Sequence, residues 1–215
     1  MHGEYGKSVP QKIALALSHV ATVVLAGYFL FRQEAEGDFL RRVLLFSCAL
    51  IYFLRLSVTL FYLMRRRMRW SEALSVAGAF FIFSVGISYA GRNTRVPVGG
   101  WDWIAALFYL FGSFLNTGSE LQRHWWKMRA ENKGKLYTEG LFSWARHINY
   151  FGDTVLLAGW VILSRQGWAG LIPLLVAAGF VFFHIPVLTR YLQNKYKGEF
   201  EAYALRTKKF IPFFY

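Results

Sequence analysis

The sequence predicts an all-α, polytopic membrane bundle of about six transmembrane helices, with helical arms on the cytoplasmic side and both termini cytoplasmic. Three observations carry this. Hydrophobic residues make up 55% of the 215 residues and charged residues only 17%, a balance far from that of an ordinary soluble domain. The apolar residues come in blocks longer than a soluble core of this size needs. The basic residues cluster on alternate loops between those blocks.

The blocks lie near residues 13–31, 43–64, 73–90, 101–117, 151–164 and 168–188. A bilayer core about 30 Å thick calls for roughly 20 apolar residues in helix. The first block is long and has no small-residue cleavage site, so it reads as a span and not as a signal peptide. The second carries Arg55 in "IYFLRLSVTLFY", seven or more residues from either end. Snorkelling over that distance is long, so an interior partner or an anionic ligand group is expected for it. The third block fits easily. The fourth and fifth are short and need flanking Trp, Tyr and polar residues, but a spanning segment must satisfy its own backbone, which favours helix. The last is long, and Pro186 predicts a kink near its end.

Charge gives the orientation. With the N-terminus inside, the inner set is Lys7 and Lys12, four Arg in "RRRMR", six cations in 117–148 and six after Thr189, 18 in all. The outer set is Arg32, Arg41, Arg42, Arg92, Arg95 and Arg165. This bias follows the positive-inside rule. The net charge of +13 therefore follows topology, and no nucleic-acid partner is expected. The single Cys48 excludes an internal disulfide and a cysteine-based zinc site.

The chain reads as one membrane domain with two halves. Residues 1–100 form N-terminal spans on the lipid and substrate side. Residues 101–215 form a second half with two long inner segments, 117–148 and 189–215. Loops of that length are usually functional.

Two helical stripes carry most of the polar chemistry. Asn116, Glu120, Arg123 and Lys127 fall at i, i+4, i+7 and i+11, one continuous face. That face suits a large polar anion, and it equally suits a solvated surface with local ion pairs. In "RHINYFGD", Arg146, Asn149, Tyr150 and Asp153 share a face, with His147 beside it. An interfacial anchor explains Arg and Tyr. It does not explain Asn and Asp at the mouth of an apolar helix, where ionisable groups usually line a cavity. Gly140 precedes this helix and allows a turn. In the tail, His184 precedes Pro186, with Arg190, Asn194 and Tyr196 beyond. "FIPFFY" suits an aromatic anchor. No dinucleotide-type Gly-rich turn, P-loop, nucleophile elbow or metal-ligand spacing occurs.

These residues resemble a known superfamily. "GLFSWARHINYFGD" is similar to the signature of the membrane reductases related to steroid 5-alpha-reductase and sterol C14-reductase, with Ile148 where Pro is common. "YLQNKYKGEFEAYALRTKKFIPFFY" resembles the family ending, and "GSFLNTGSELQRHWWK" the segment before the signature. "FLRLSVTLFYLMRRR" resembles the uncharacterised bacterial branch, DUF1295. The resemblance implies a bacterial inner-membrane enzyme with an NADPH pocket open to the cytoplasm. It implies hydride transfer to a carbon–carbon double bond of a sterol-like, steroid or isoprenoid lipid. Asn116, Glu120, Arg123, Lys127, Arg146, Asn149, Asp153 and Tyr196 match the cofactor-side positions. His147, Tyr150, His184 and Arg190 join the expected cofactor set as their neighbours. The isoprenylcysteine carboxyl methyltransferases share a related signature and tail and use S-adenosylmethionine. The carboxylate pair they carry near the last span is absent here, since His184-Ile185-Pro186 runs on to Val187, Leu188, Thr189 and Arg190. The Gln-Glu pair of the best-known steroid reductases has no counterpart either. Tyr52, Glu72 and Tyr89 stand as candidates for the catalytic proton donor.

Overall fold

A computed structural model describes residues 8–64 and 66–215. Lys7 and Arg65 of the inner basic set lie outside the described residues. Helix α1 (Val9–Phe31) starts with Pro10 in its first turn, where the missing N–H costs nothing. Helix α2 (Phe39–Val58) is capped by Asp38, which accepts from the Arg41 N–H, and it runs on through a π-helical turn, Thr59–Leu63. Helix α3 (Trp70–Phe81) passes through a second π-turn, Ile82–Gly86, into α4 (Ile87–Gly91). Then come α5 (Gly100–Met128), α6 (Ile148–Ser164), α7 (Leu171–Gly179), α8 (Ile185–Tyr196) and α9 (Gly198–Arg206). No regular strand occurs among the described residues.

Four helical runs are long and apolar enough to cross a membrane: Val9–Phe31, Phe39–Leu63, Trp70–Gly91 and Gly167–Tyr196. They correspond to the first three expected blocks and the last. The other two blocks are helical but different in kind. Helix α6 has 17 residues, about 25 Å of rise. Helix α5 has 29 but turns polar after Asn116. The expected interruption at Pro186 takes the form of a π-turn, Phe180–His184, just before it. The helix resumes at Ile185, with Pro186 in its first turn. Leu17, Leu74, Phe182 and Phe183 are each well over half exposed, an apolar surface suited to lipid and not to water.

The residues gather into two compact units. The first takes residues up to Tyr109 together with Gly159–Gly170. A core of Leu15, Leu60, Met68 and Ala73 packs here. Lys12 Nζ donates to the Met64 carbonyl at 2.9 Å, and Met68 N–H donates to Ser8 Oγ at 3.1 Å. The unit also buries a charge cluster. Arg41 and Asp102 are both fully buried. Asp102 receives Arg41 at 2.5 and 3.1 Å, Arg165 at 3.0 and 2.8 Å and the Gly99 N–H at 2.9 Å. The remaining Arg41 N–H groups reach the carbonyls of Val96, Pro97 and Leu163. Arg41 and Arg165, two cations of the expected outer set, are thus spent on one internal carboxylate.

The second unit is Leu110–Ala158 with Leu171–Tyr215. Its core is Leu115, Tyr137, Leu141, Phe142, Ala145 and Ile148. Here α5 and α6 approach to backbone contact. A Cβ on Gly152 would lie 2.6 Å from the Asn116 nitrogen and 2.7 Å from the Gly112 carbonyl oxygen, so only glycine fits.

Candidate anion-binding site

The polar site lies in the second unit, where the two stripes meet. Asn116 Nδ2 donates to the Asn149 carbonyl at 3.0 Å. Asn149 Nδ2 donates to Glu120 Oε1 at 3.0 Å, and Glu120 pairs with Arg123. The close approach at Gly152 brings the start of α6 near enough to α5 for this chain of contacts. One wall is made by the turn into α6. Gly140 sits at φ 56°, the left-handed region glycine tolerates, and the Leu141 N–H is fixed by Gln122 Oε1 at 3.0 Å. Tyr203 OH ties down the Phe142 carbonyl at 2.6 Å. The Arg146 and His147 N–H groups donate to the carbonyls of Lys208 and Lys209 at 2.8 and 3.1 Å.

A cavity of about 200 Å³ opens here, lined in part by Arg123, Lys127, Arg146, His147, Asn149 and Tyr196. Six of the expected cofactor residues therefore share one space. Lys127 Nζ donates to Tyr196 OH at 3.2 Å and also meets the Lys135 carbonyl. Arg146 lies over the Phe200 ring at 5.7 Å. Its Nε is buried with no hydrogen-bond partner among the described residues, as is Nε2 of His147. Burial works against the Arg146 charge. Burial, reinforced by Arg146, Lys209 and Arg123, pushes His147 down to about 3, so its imidazole is neutral at physiological pH. His147, Tyr150 and Phe180 form a parallel stack, with centroid spacings of 5.8 and 4.5 Å.

The remaining expected residues sit elsewhere in the unit. Asn116 and Glu120 stand behind Asn149 and hold it. Asp153 lies one turn further along α6. His184 is exposed, against the rings of Tyr150 and Phe180, and Arg190 is exposed on α8. Neither lines the cavity, and nor do Tyr150 and Asp153. Sequence spacing missed Tyr137, Phe142 and Tyr203, whose rings supply apolar walls. The available signal was the Tyr-rich tail.

Tyr52, Glu72 and Tyr89 belong to the first unit, which does not bring them together. Tyr52 stacks on Phe80 at 5.5 Å and lies under Arg55, 5.4 Å from its ring centroid. Glu72 pairs with Arg66. Tyr89 is exposed, with the Arg92 guanidinium 3.4 Å from its centroid. Glu72 and Tyr89 lie at opposite ends of one helical run, about 25 Å apart by helix rise. Among the described residues no cluster of three His, Cys, Asp or Glu could hold a metal.

The arrangement can hold a polyanion. Three cations line one recess, two buried nitrogens have hydrogen-bonding capacity left, and aromatic walls flank them. The model of one protein family, DUF1295, described as a protein of unknown function, matches residues 73–207. No curated protein matches the chain.

Proposed function

We propose, because the chain belongs to the DUF1295 family and its polar recess is lined by cations, that the protein is an NADPH-dependent membrane oxidoreductase. On this reading it reduces a carbon–carbon double bond of a sterol-like, steroid or isoprenoid lipid, and the recess faces the cytoplasm. The observation that carries the reading is the union of the two stripes through Asn149, beside Arg123, Lys127 and Arg146.

The residues present fit a phosphorylated dinucleotide. Guanidinium groups match phosphate oxygens in pairs, and the buried Nε of Arg146 has a hydrogen bond left to give. A volume of about 200 Å³ is below the ~300–1,000 Å³ of a typical ligand pocket, so the recess suits the phosphate-bearing part. The rest would lie along the exposed stripe. Bound NADPH supplies a hydride, and reduction consumes one proton as well. The chain's own residues bind and orient. Arg123, Lys127 and Arg146 hold charge, Asn149 is locked by Glu120 and Asn116, and the neutral His147 adds a hydrogen-bonding atom without adding charge. Tyr137, Phe142 and Tyr203 keep water from the inner wall.

Thermal unfolding in detergent tests this, since a ligand that binds only the folded state raises its stability. NADPH should raise the midpoint of the parent protein and leave an Asn149→Ala variant unmoved. Stabilisation by S-adenosylmethionine alone would assign the site to methyl transfer instead.

A further inference from the structure

The last residues of the chain form a strap with two different edges. The inner edge is fixed by backbone pairing. Lys208 and Lys209 carbonyls accept from Arg146 and His147, and Phe213 N–H donates to the Trp144 carbonyl at 3.4 Å. Phe210 is buried and meets Phe151 edge-on at 5.8 Å. The Phe210 and Ile211 N–H groups close back on the Tyr215 carbonyl at 2.6 and 2.8 Å. The outer edge is presented by that closure and left uncovered. Phe213 is 73% and Phe214 82% exposed, and Trp144 packs against Phe213 at 5.9 Å while itself partly open.

The charge beside this aromatic edge has one sign. Residues 202–215 contain Arg206, Lys208 and Lys209 and no Asp or Glu. Lys209 Nζ lies 5.0 Å from the Tyr215 ring centroid and 3.3 Å from its hydroxyl, so cation and ring share one surface. Exposed aromatic rings beside lysines are the composition that seats at a headgroup layer, and clustered cations select anionic lipid. The same unit carries most of one apolar run long enough to cross a membrane, Gly167–Tyr196.

We infer that residues 206–215, with Trp144, form a docking surface for anionic lipid headgroups. Phe213 and Phe214 enter the interface while Lys208 and Lys209 contact the lipid charge. The inference needs no cofactor and stands apart from the proposed reaction.

A spin label at Phe214→Cys, in a Cys48→Ser background, tests it in nanodiscs of phosphatidylcholine with and without phosphatidylglycerol. The expected result is high oxygen and low nickel-chelate accessibility in the anionic discs, weakened by salt. Changing Lys208 and Lys209 to Gln should shift the seated-to-free ratio by about five-fold per lysine. A label equally open to water in both discs overturns the inference. So does seating of equal strength in neutral discs that ignores the lysine changes, or dipolar broadening that shows a second copy on this face.

Discussion

Asp102 and Glu120 are both carboxylates facing guanidinium groups, yet the two clusters are finished differently. Around Asp102, each N–H of Arg41 meets an acceptor of its own unit, and Arg165 closes the other side. Around Glu120, Arg123 stays exposed, and the neighbouring Arg146 and His147 keep buried nitrogens without partners among the described residues. In the first cluster the two buried partners, Arg41 and Asp102, make their hydrogen bonds within the unit, and the cluster serves the fold. The second leaves donors beside a recess. Charge alone does not mark a binding site; unspent hydrogen-bonding capacity does.

The sharpest way to break this comparison is at Asp102. Asp102→Ala leaves the buried Arg41 without its anion, and such a loss costs about 3–5 kcal/mol. The variant should lose its monodisperse detergent peak or unfold far below the parent. Replacing Arg41 and Asp102 together by Met and Leu should recover most of that. Parent-like unfolding of Asp102→Ala would show that the cluster does not hold the first unit.

Arg146 should behave in the opposite sense. Its charge is already opposed by burial, so Arg146→Leu should leave the unfolding midpoint unchanged or raise it. A hydrogen bond to a charged group is worth about 1.5–3 kcal/mol. NADPH affinity measured by calorimetry should therefore fall about 10- to 100-fold. An affinity that survives would remove Arg146 from the site.

The two clusters also differ in how far they could be read from the sequence. Asn116, Glu120 and Arg123 share a face by spacing, as do Arg146 and Asn149, so each half of the open cluster was legible locally. Their meeting was not, because it depends on Gly112 and Gly152 letting two backbones touch. The closed cluster was hidden altogether. Arg41 looked like a loop cation, and its partners stand 61 and 122 residues away, beyond any periodic pattern. The long apolar blocks declared their helices plainly, whereas α5 mixes an apolar start with a polar end in one rod. Tyr52, Glu72 and Tyr89 were chosen by residue type without spacing, and they do not converge.

Gly152→Ala probes the meeting of the stripes directly. The added methyl would press on the Asn116 nitrogen and the Gly112 carbonyl. Overpacking of this kind costs about 1–3 kcal/mol. It should also loosen the Asn116–Asn149 bond, so NADPH affinity should fall together with the melting temperature. A fall in stability with affinity intact would show that Asn149 is held by other means.

The effect expected to be smallest at neutral pH, growing only in acid, is a pH dependence at His147. In the folded protein its imidazole stays neutral until about pH 3, while an unfolded histidine protonates near 6.5. Between those values unfolding takes up a proton, so this residue makes the protein less stable as pH falls from about 6.5 toward 3. Carboxylates add their own acid loss, so the useful quantity is the difference from a His147→Phe variant, which keeps a ring in the stack and loses the titration. The variant's advantage should open as pH falls below 6.5. A bound anion next to the imidazole favours its protonated form, so pyrophosphate should narrow that advantage. If pyrophosphate binds and the difference stays the same, the anion does not sit beside His147, and the open cluster is not its seat.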